Sequence, residues 1–120
     1  TLREGLMVRL YHNPRCSKSR AALALLEERG VEIDIVTYLD GDLSEDALRD
    51  LLKKLGLGPR DVMRSGEAVF KELGLGEPSL GDDALTKAIV ANPILLERPI
   101  VVNGRRAAIG RPTEAILDIL

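Results

Sequence analysis

The stretch "YHNPRCSKSR" (residues 11–20) carries the only cysteine of the chain, Cys16, and its only histidine, His12. A cysteine can serve as a nucleophile, and a histidine can gain or lose a proton near neutral pH. Most free cysteines are buried like small apolar side chains, but Cys16 stands among cationic and hydroxyl side chains. This polar setting favours a reactive thiol, and it makes Cys16 the first candidate for chemistry.

The elements around Cys16 indicate how its thiol could be activated. "LMVRLY" (residues 6–11) predicts a short strand, and the apolar spacing from Ala22 to Leu26 predicts a helix that stops at Gly30. We therefore expect the sulfur at, or within one residue of, the helix N-terminus. Backbone N–H groups, the helix dipole and nearby cations can lower a thiol pKa from about 8.5 to roughly 3.5–7.5. The same donors could also bind an oxyanion.

Two neighbours of Cys16 have open roles at this point. His12 could hydrogen-bond towards the turn and help to hold a thiolate, or it could be a structural histidine. Ser19 occupies the position of the second cysteine of a Cys-x-x-Cys motif. Its hydroxyl can donate to a thiolate or cap the first turn, but it cannot resolve a mixed disulfide.

The small number of sulfur and imidazole groups limits the chemistry. One cysteine forms no internal disulfide, and with one histidine it falls short of the ligand set of a usual zinc site. We therefore expect no metal, and any redox chemistry must use a thiol from another molecule.

Three arginines are candidates for oxyanion binding: Arg64 in "DVMRSGE", Arg98 in "ERPIVV" and Arg111 in "IGRP". Taken alone, each would be expected to be a solvated surface charge. Arg98 and Arg111, however, precede prolines at the edges of predicted strands, whose ends the fold should bring near the first helix. A guanidinium group there would match a tetrahedral oxyanion.

The rest of the chain predicts the elements that hold these residues in place. Alternating apolar residues in "VEIDIVTYL" (residues 31–39), Ile35 among them, predict a second strand with one buried face. Strand, helix and strand then form a βαβ unit with parallel strands and a right-handed crossover.

A helical insertion over about residues 44–92 follows this unit. Ser44 is a predicted N-cap of a helix that ends at Gly56, and a second helix ends near Asn92. The Gly- and Pro-rich stretch between them predicts short helical turns joined by loops.

The C-terminal part returns to strands. "RPIVVNGRRAAIGRP" (residues 98–112) places Asn-Gly between two β-prone runs, which predicts a hairpin. "PTEAILDIL" (residues 112–120), with a proline in its first turn, predicts a closing helix whose Ile116, Ile119 and Leu120 cover the sheet. The whole order predicts an α/β fold, a thioredoxin-like four-stranded mixed sheet (βαβ then ββα) with a helical insertion.

Length and composition set the class of protein. A chain of 120 residues suits one domain, and we expect a single domain over residues 1–120. No apolar run approaches the ~18 residues of a membrane span, and "TLREGLMV" lacks a secretory signal, so we expect a cytoplasmic protein with no membrane partner. A net charge of -2 and 2% aromatic residues argue against a nucleic-acid partner.

The stretches "YHNPRCSKS", "RPIVVNG" and "GRPTEAILDIL" together resemble the glutaredoxin-coupled arsenate reductases (ArsC-like proteins), over nearly the whole chain. The resemblance implies that Cys16 is the nucleophile and that His12 and Ser19 tune its thiolate. It also implies that three residues form the cluster that binds arsenate and stabilises intermediates, namely Arg64, Arg98 and Arg111. Pro99 would be the cis-proline of thioredoxin-like folds and would place Arg98 beside the thiol.

The mechanism implied by this resemblance starts with attack of the Cys16 thiolate on arsenic, which forms a covalent adduct and releases water. Glutathione, the co-substrate, then attacks, arsenite leaves, and glutaredoxin clears the mixed disulfide between Cys16 and glutathione. The resemblance thus implies arsenate or a similar oxyanion as substrate, a role in arsenic resistance and no bound cofactor. We expect the protein to be a monomer.

Two other functions use the same features. A glutathione-dependent thiol oxidoreductase without arsenate activity would need the same thiolate and the same external thiol. A Spx-like regulator, which shares the fold, would bind RNA polymerase instead of catalysing a reaction. Such regulators commonly carry a second cysteine, whereas residue 19 here is a serine.

Overall fold

The computed structural model describes residues 7–120. One mixed sheet has the strand order β2-β1-β3-β4, and its strands are β1 (Met7–Tyr11), β2 (Glu32–Val36), β3 (Ile100–Asn103) and β4 (Arg106–Ile109). β1 pairs parallel with β2 and antiparallel with β3, which pairs antiparallel with β4. The predicted α/β class and mixed sheet are therefore confirmed. The first residue of the predicted first strand, residue 6, lies outside the described residues. So do residues 1–6 of "TLREGLMV", the stretch in which we found no secretory signal.

The helices follow the predicted order, and residues 7–120 contain four α-helices: α1 (Ser17–Glu28), α2 (Glu45–Leu55), α3 (Ala68–Glu72) and α4 (Asp82–Ala91). Short 3₁₀ segments cover Tyr38–Asp40, Pro59–Val62, Pro93–Leu95 and Thr113–Ile119. The boundaries of α2 are those predicted, because the Ser44 hydroxyl accepts a hydrogen bond from the Ala47 N–H and Gly56 ends the helix with a φ of 69°. None of the helices in residues 7–120 has the length and apolar character of a transmembrane span.

Apolar side chains cover both faces of the sheet. Neighbouring residues of a strand point to opposite faces, so Val101 packs on one side while Ile100 and Val102 pack on the other. α1 and the closing 3₁₀ segment cover the Val101 face through residues that include Ala22, Leu26, Ile116 and Ile119. The helices between β2 and β3 cover the opposite face.

Two sequence predictions differ from the structure. Ile35, predicted to face the core, is 45% exposed, because β2 is an edge strand that pairs only with β1 in the described sheet. The closing helix is a 3₁₀ segment over Thr113–Ile119. Asn103 donates a hydrogen bond to the Ile119 carbonyl, as does the Arg106 guanidinium, so side chains of the β3–β4 hairpin hold the end of this segment on the sheet.

The pairing of the strands brings distant parts of the chain to one edge of the sheet. Tyr11 at the end of β1 pairs with Ile100 at the start of β3, and Ile100 pairs with Ile109 at the end of β4. The residues just after β1, just before β3 and just after β4 are therefore neighbours. Cys16, Arg98 and Arg111 lie in these three flanking segments.

Candidate active site

The turn that carries Cys16 is held by one backbone–backbone hydrogen bond and by two hydrogen bonds between side chains and backbone. The Cys16 N–H donates to the Asn13 carbonyl at 3.0 Å, and the Arg15 N–H donates to Asn13 Oδ1 at 3.0 Å. Arg20 Nη1 donates to the Pro14 carbonyl at 2.9 Å. Cys16 itself is the N-cap residue of α1, as the sequence predicts.

The surroundings of the Cys16 sulfur favour its ionised form. Partial burial raises the pKa of the thiol, but hydrogen bonds from the Ser19 N–H, the Arg98 guanidinium and the Lys18 N–H outweigh it, and the net pKa is lowered. Arg111 Nη2 lies 3.7 Å from Sγ and donates a hydrogen bond to it. The first turn of α1 and the guanidinium groups together stabilise a thiolate.

His12 and Ser19 form a buried pair beneath this turn. His12 Nδ1 lies 2.6 Å from Ser19 Oγ, which also accepts a hydrogen bond from the Asn13 N–H at 3.0 Å. Burial, followed by the charge of Arg20, lowers the pKa of His12. A neutral imidazole lets the Ser19 hydroxyl donate to Nδ1. The hydroxyl is thus engaged with the turn, and Ser19 reaches the thiol through its backbone N–H; tuning of the thiolate by His12 stays a prediction.

The carboxylate of Glu97, which sequence reasoning missed, links the three predicted arginines. Its Oε1 lies 2.7 Å from Arg64 Nη1 and 3.1 Å from Arg111 Nε, and it accepts a hydrogen bond from the Arg98 backbone N–H at 3.1 Å. Arg111 Nε also donates to the Arg98 carbonyl at 2.8 Å. The three arginines therefore form one cluster around one carboxylate.

Backbone pairing explains why Arg64 reaches this cluster. Met63 and Leu96 form an isolated antiparallel bridge. On either side of it, the Arg64 N–H donates to the Leu95 carbonyl at 2.7 Å and the Glu97 N–H donates to the Val62 carbonyl at 2.8 Å. This short pairing lays residue 64 beside residue 97, although 33 positions separate them.

A second carboxylate, that of Glu67, forms ion pairs with two of these arginines, Arg64 and Arg98. Its Oε1 lies 3.3 Å from Arg64 Nε and 3.8 Å from Arg98 Nη1. Arg64 and Glu67 are the ends of a four-residue turn, in which the Glu67 N–H donates to the Arg64 carbonyl at 3.3 Å, so the Ser-Gly pair in "RSGE" is a local signal that could have identified this contact. No comparable local signal exists for the contacts of Glu97 with Arg64 and Arg111.

Some buried donors of the cluster have no hydrogen-bond partner among the described residues. The Arg98 side chain is 12% exposed, and its Nε and Nη1 are buried without a hydrogen-bond partner within residues 7–120. The Tyr38 hydroxyl is likewise buried and unpartnered in that part of the chain, and burial raises its pKa to about 12. Buried donors normally have partners, and a guanidinium group beside a thiolate suits an oxyanion.

A pocket of about 400 Å³ adjoins the turn before Cys16. Its lining includes His12, Arg15, Leu39, Asp40 and Ile94, whereas Cys16 and the three arginines do not line it. The thiol and the guanidinium groups therefore lie beside this pocket and not in its lining.

Comparisons with known proteins agree with this fold and these motifs. The model of the ArsC family matches residues 11–119. An arsenate reductase of Neisseria meningitidis serogroup A is 54% identical over 116 residues, which cover 94% of this chain and 97% of that protein. The uncharacterized protein YfgD of Escherichia coli K12 is 53% identical over 114 residues, covering 94% of this chain and 96% of that protein.

A solved structure of an arsenate reductase from Vibrio cholerae superposes with a TM-score of 0.93 at 47% sequence identity. The match covers 97% of this chain and 99% of that chain. The matching family model spans the turn of Cys16, the helical insertion and the hairpin. The chain therefore belongs to the ArsC family.

Proposed function

We propose that this protein reduces arsenate to arsenite, with Cys16 as the nucleophile and with glutathione and glutaredoxin as the source of electrons. The observation that carries the proposal is a thiol with a lowered pKa at the start of α1, with Arg111 Nη2 3.7 Å from its sulfur and unpartnered donors on Arg98. Membership of the ArsC family, and relatives that are named arsenate reductases, give further support.

In the first step the arginine cluster binds arsenate, and the Cys16 thiolate attacks arsenic. A sulfur–arsenic bond forms, an arsenic–oxygen bond breaks, and the oxygen leaves as water after taking up protons. Arsenic stays in the +5 state in this step. The guanidinium groups lower the barrier by neutralising the charge of the oxyanion as the thiolate approaches.

In the second step the thiol of glutathione bonds to arsenic and displaces a second oxygen as water. The two sulfurs then couple to a mixed disulfide between Cys16 and glutathione, and arsenic keeps the electron pair of the broken bonds. The resulting As(III) takes up water and leaves as arsenite. A glutaredoxin thiol removes glutathione from the mixed disulfide and restores Cys16.

This scheme matches the presence of one cysteine in the chain, since each later thiol comes from another molecule. Thiols supply both electrons, so the scheme calls for no bound cofactor. We place the reaction in the cytoplasm, with the protein acting as a monomer in arsenic resistance.

A second candidate function is glutathione-dependent thiol–disulfide exchange without arsenate turnover. Cys16 is only partly buried, and this favours the second function, because an accessible thiolate also attacks disulfides. This reaction would use the arginines only to stabilise the thiolate and not to bind an oxyanion, which is why we rank it second.

One assay separates the two functions. NADPH oxidation is followed with glutathione, glutaredoxin and glutathione reductase present, and arsenate, phosphate or a simple disulfide is added in parallel. The proposal predicts oxidation that depends on arsenate and on glutaredoxin, and none with phosphate. Activity with the disulfide alone would assign the protein to the second function.

A further inference from the structure

The cluster that faces Cys16 contains its own anions. Three guanidinium groups are accompanied by the carboxylates of Glu67 and Glu97. When the thiol is ionised, these six groups together carry no net charge. A site that only had to attract a dianion would keep a positive excess, so the two carboxylates need an explanation.

Glu97 occupies donors that a tetrahedral oxyanion would otherwise use. Its Oε1 accepts a hydrogen bond from Arg64 Nη1 and lies 3.1 Å from Arg111 Nε, whose N–H donates to the Arg98 carbonyl. Nη2 of the same Arg111 guanidinium reaches the Cys16 sulfur. Arg98, by contrast, keeps Nε and Nη1 free of hydrogen-bond partners in the described chain. Arg98 therefore makes no hydrogen bond through these two atoms, with Glu67 Oε1 3.8 Å from its Nη1, while the other two arginines are partly engaged by Glu97.

We infer that Glu97 is a positioning residue that orients Arg64 and Arg111 and holds the reversible affinity of the site for tetrahedral dianions low. The inference rests on the proposed function, because it concerns the oxyanion site of that reaction. A carboxylate beside the cluster repels an incoming dianion and competes with it for hydrogen bonds.

Low reversible affinity has a specific use in this reaction. Phosphate has the same shape and charge as arsenate, so a site that bound all such dianions tightly would be filled by phosphate. Weak binding leaves the selection to the step in which sulfur bonds to arsenic. Binding that is equal for the ground state and the transition state adds nothing to turnover.

The test measures anion binding without turnover. Cys16 is alkylated with iodoacetamide at a fixed pH, with no glutathione present, and phosphate, which forms no bond to the sulfur, is added to protect it. Arsenate is added in a parallel sample, where binding and adduct formation both protect. In Glu97→Gln the half-protecting phosphate concentration should fall about three- to tenfold, as expected from removal of one nearby negative charge. In the coupled assay the same variant should show a lower KM for arsenate together with a lower kcat.

Two further variants separate charge from structure. Glu97→Asp keeps the charge and shortens the side chain, so kcat should fall while phosphate protection becomes no tighter. Glu114→Gln removes an exposed carboxylate from the closing segment and should match the wild type. If Glu97→Gln does not fold, judged by circular dichroism, Glu67→Gln tests the same change in charge.

The outcomes are distinct. Unchanged or weaker phosphate protection in a folded Glu97→Gln protein overturns the inference and leaves the proposed function standing. Tighter protection in both Glu97→Gln and Glu97→Asp also overturns it, since loss of geometry and not of charge would then be the cause. A wild-type protein that neither anion protects would overturn the oxyanion site itself, and the inference with it.

Discussion

The Cys16 sulfur experiences opposing influences. Burial alone would keep its thiol protonated, yet the N–H groups of Ser19 and Lys18 and the guanidinium of Arg98 shift the balance towards the thiolate. In the unfolded chain these donors are dispersed and the pKa returns to about 8.5. The reactivity of this one residue is therefore a property of the folded turn.

The pH dependence of alkylation tests this statement. The rate of the Cys16 reaction with iodoacetamide should rise with pH through a lower midpoint in the folded protein than in urea, because the folded turn lowers the pKa of the thiol. Because the folded pKa is the lower one, ionisation adds stability above the unfolded pKa, and this contribution is lost as pH falls through the folded pKa. A folded midpoint at or above the free value would contradict the assigned electrostatics.

Replacement of the sulfur tests the covalent route. Cys16→Ser should reduce arsenate turnover to background, because a serine hydroxyl stays protonated at neutral pH and does not bond to arsenic as a thiolate does. The fold should be unaffected, since serine is a favourable N-cap residue. Turnover in the coupled assay and circular dichroism are the two measurements, and retained turnover would refute an adduct at Cys16.

Residue types and local spacing sufficed to predict Cys16, His12, Ser19 and the arginines as candidates. They did not suffice for Glu97, because its contacts with Arg64 and Arg111 depend on the Met63–Leu96 bridge and on the end of β4. Nor did they indicate that the Ser19 hydroxyl is engaged with His12. Which of two chemically possible partners a side chain meets depends on its direction in the folded chain.

The adjoining ends of the strands β1, β3 and β4 hold the site together. The Gly110 N–H donates to the Pro99 carbonyl at 2.9 Å, which ties the end of β4 to the segment that carries Arg98. A Cβ at position 110 would lie 2.8 Å from Pro99 Cγ. The close approach of these two segments thus requires a glycine.

Gly110→Ala should accordingly damage both stability and activity. Overpacking against Pro99 should cost about 1–3 kcal/mol in the free energy of unfolding. It should also lower kcat/KM for arsenate, because a shift of Pro99 moves the neighbouring Arg98. Urea unfolding and the coupled assay measure the two effects. Gly81→Ser is the control, since no atom lies within 4 Å of a Cβ built there and serine is a favourable N-cap residue for α4. Wild-type behaviour of both variants would contradict the argument.

Elements with strong periodicity or clear end signals were predictable, as α2 with its Ser44 cap and Gly56 stop illustrates. Two features were not. Alternation alone does not reveal that β2 lies at the sheet edge, where Ile35 remains exposed, and apolar spacing over seven residues does not distinguish α from 3₁₀ in the closing segment.

At the scale of the molecule, the two apolar clusters share the same strands. Leu48 of α2 is fully buried on one side of the sheet, and Leu26 of α1 is fully buried on the other. Loss of packing on either side removes support from strands that both sides need. We therefore predict that the helical insertion and the sheet unfold together, as one domain.

Leu48→Ala tests this coupling. The cavity should cost about 2–5 kcal/mol of stability and leave one cooperative transition. Urea unfolding followed by circular dichroism and by tyrosine fluorescence should give coincident curves, since Tyr11 and Tyr38 report on the sheet and on the segment after β2. Separate midpoints for the two probes would show that the insertion unfolds on its own.

The Met63–Leu96 bridge has a consequence for how this molecule can vary in length. The chain between its two sides leaves and returns at the same point, so it forms a loop closed by backbone hydrogen bonds. Residues added to this loop, or deleted from it, far from the bridge would change the length of the loop. The distance between the Arg64 guanidinium and the Glu97 carboxylate would stay the same. The position of Arg64 in the arginine cluster thus does not depend on how many residues lie between the two sides of the bridge.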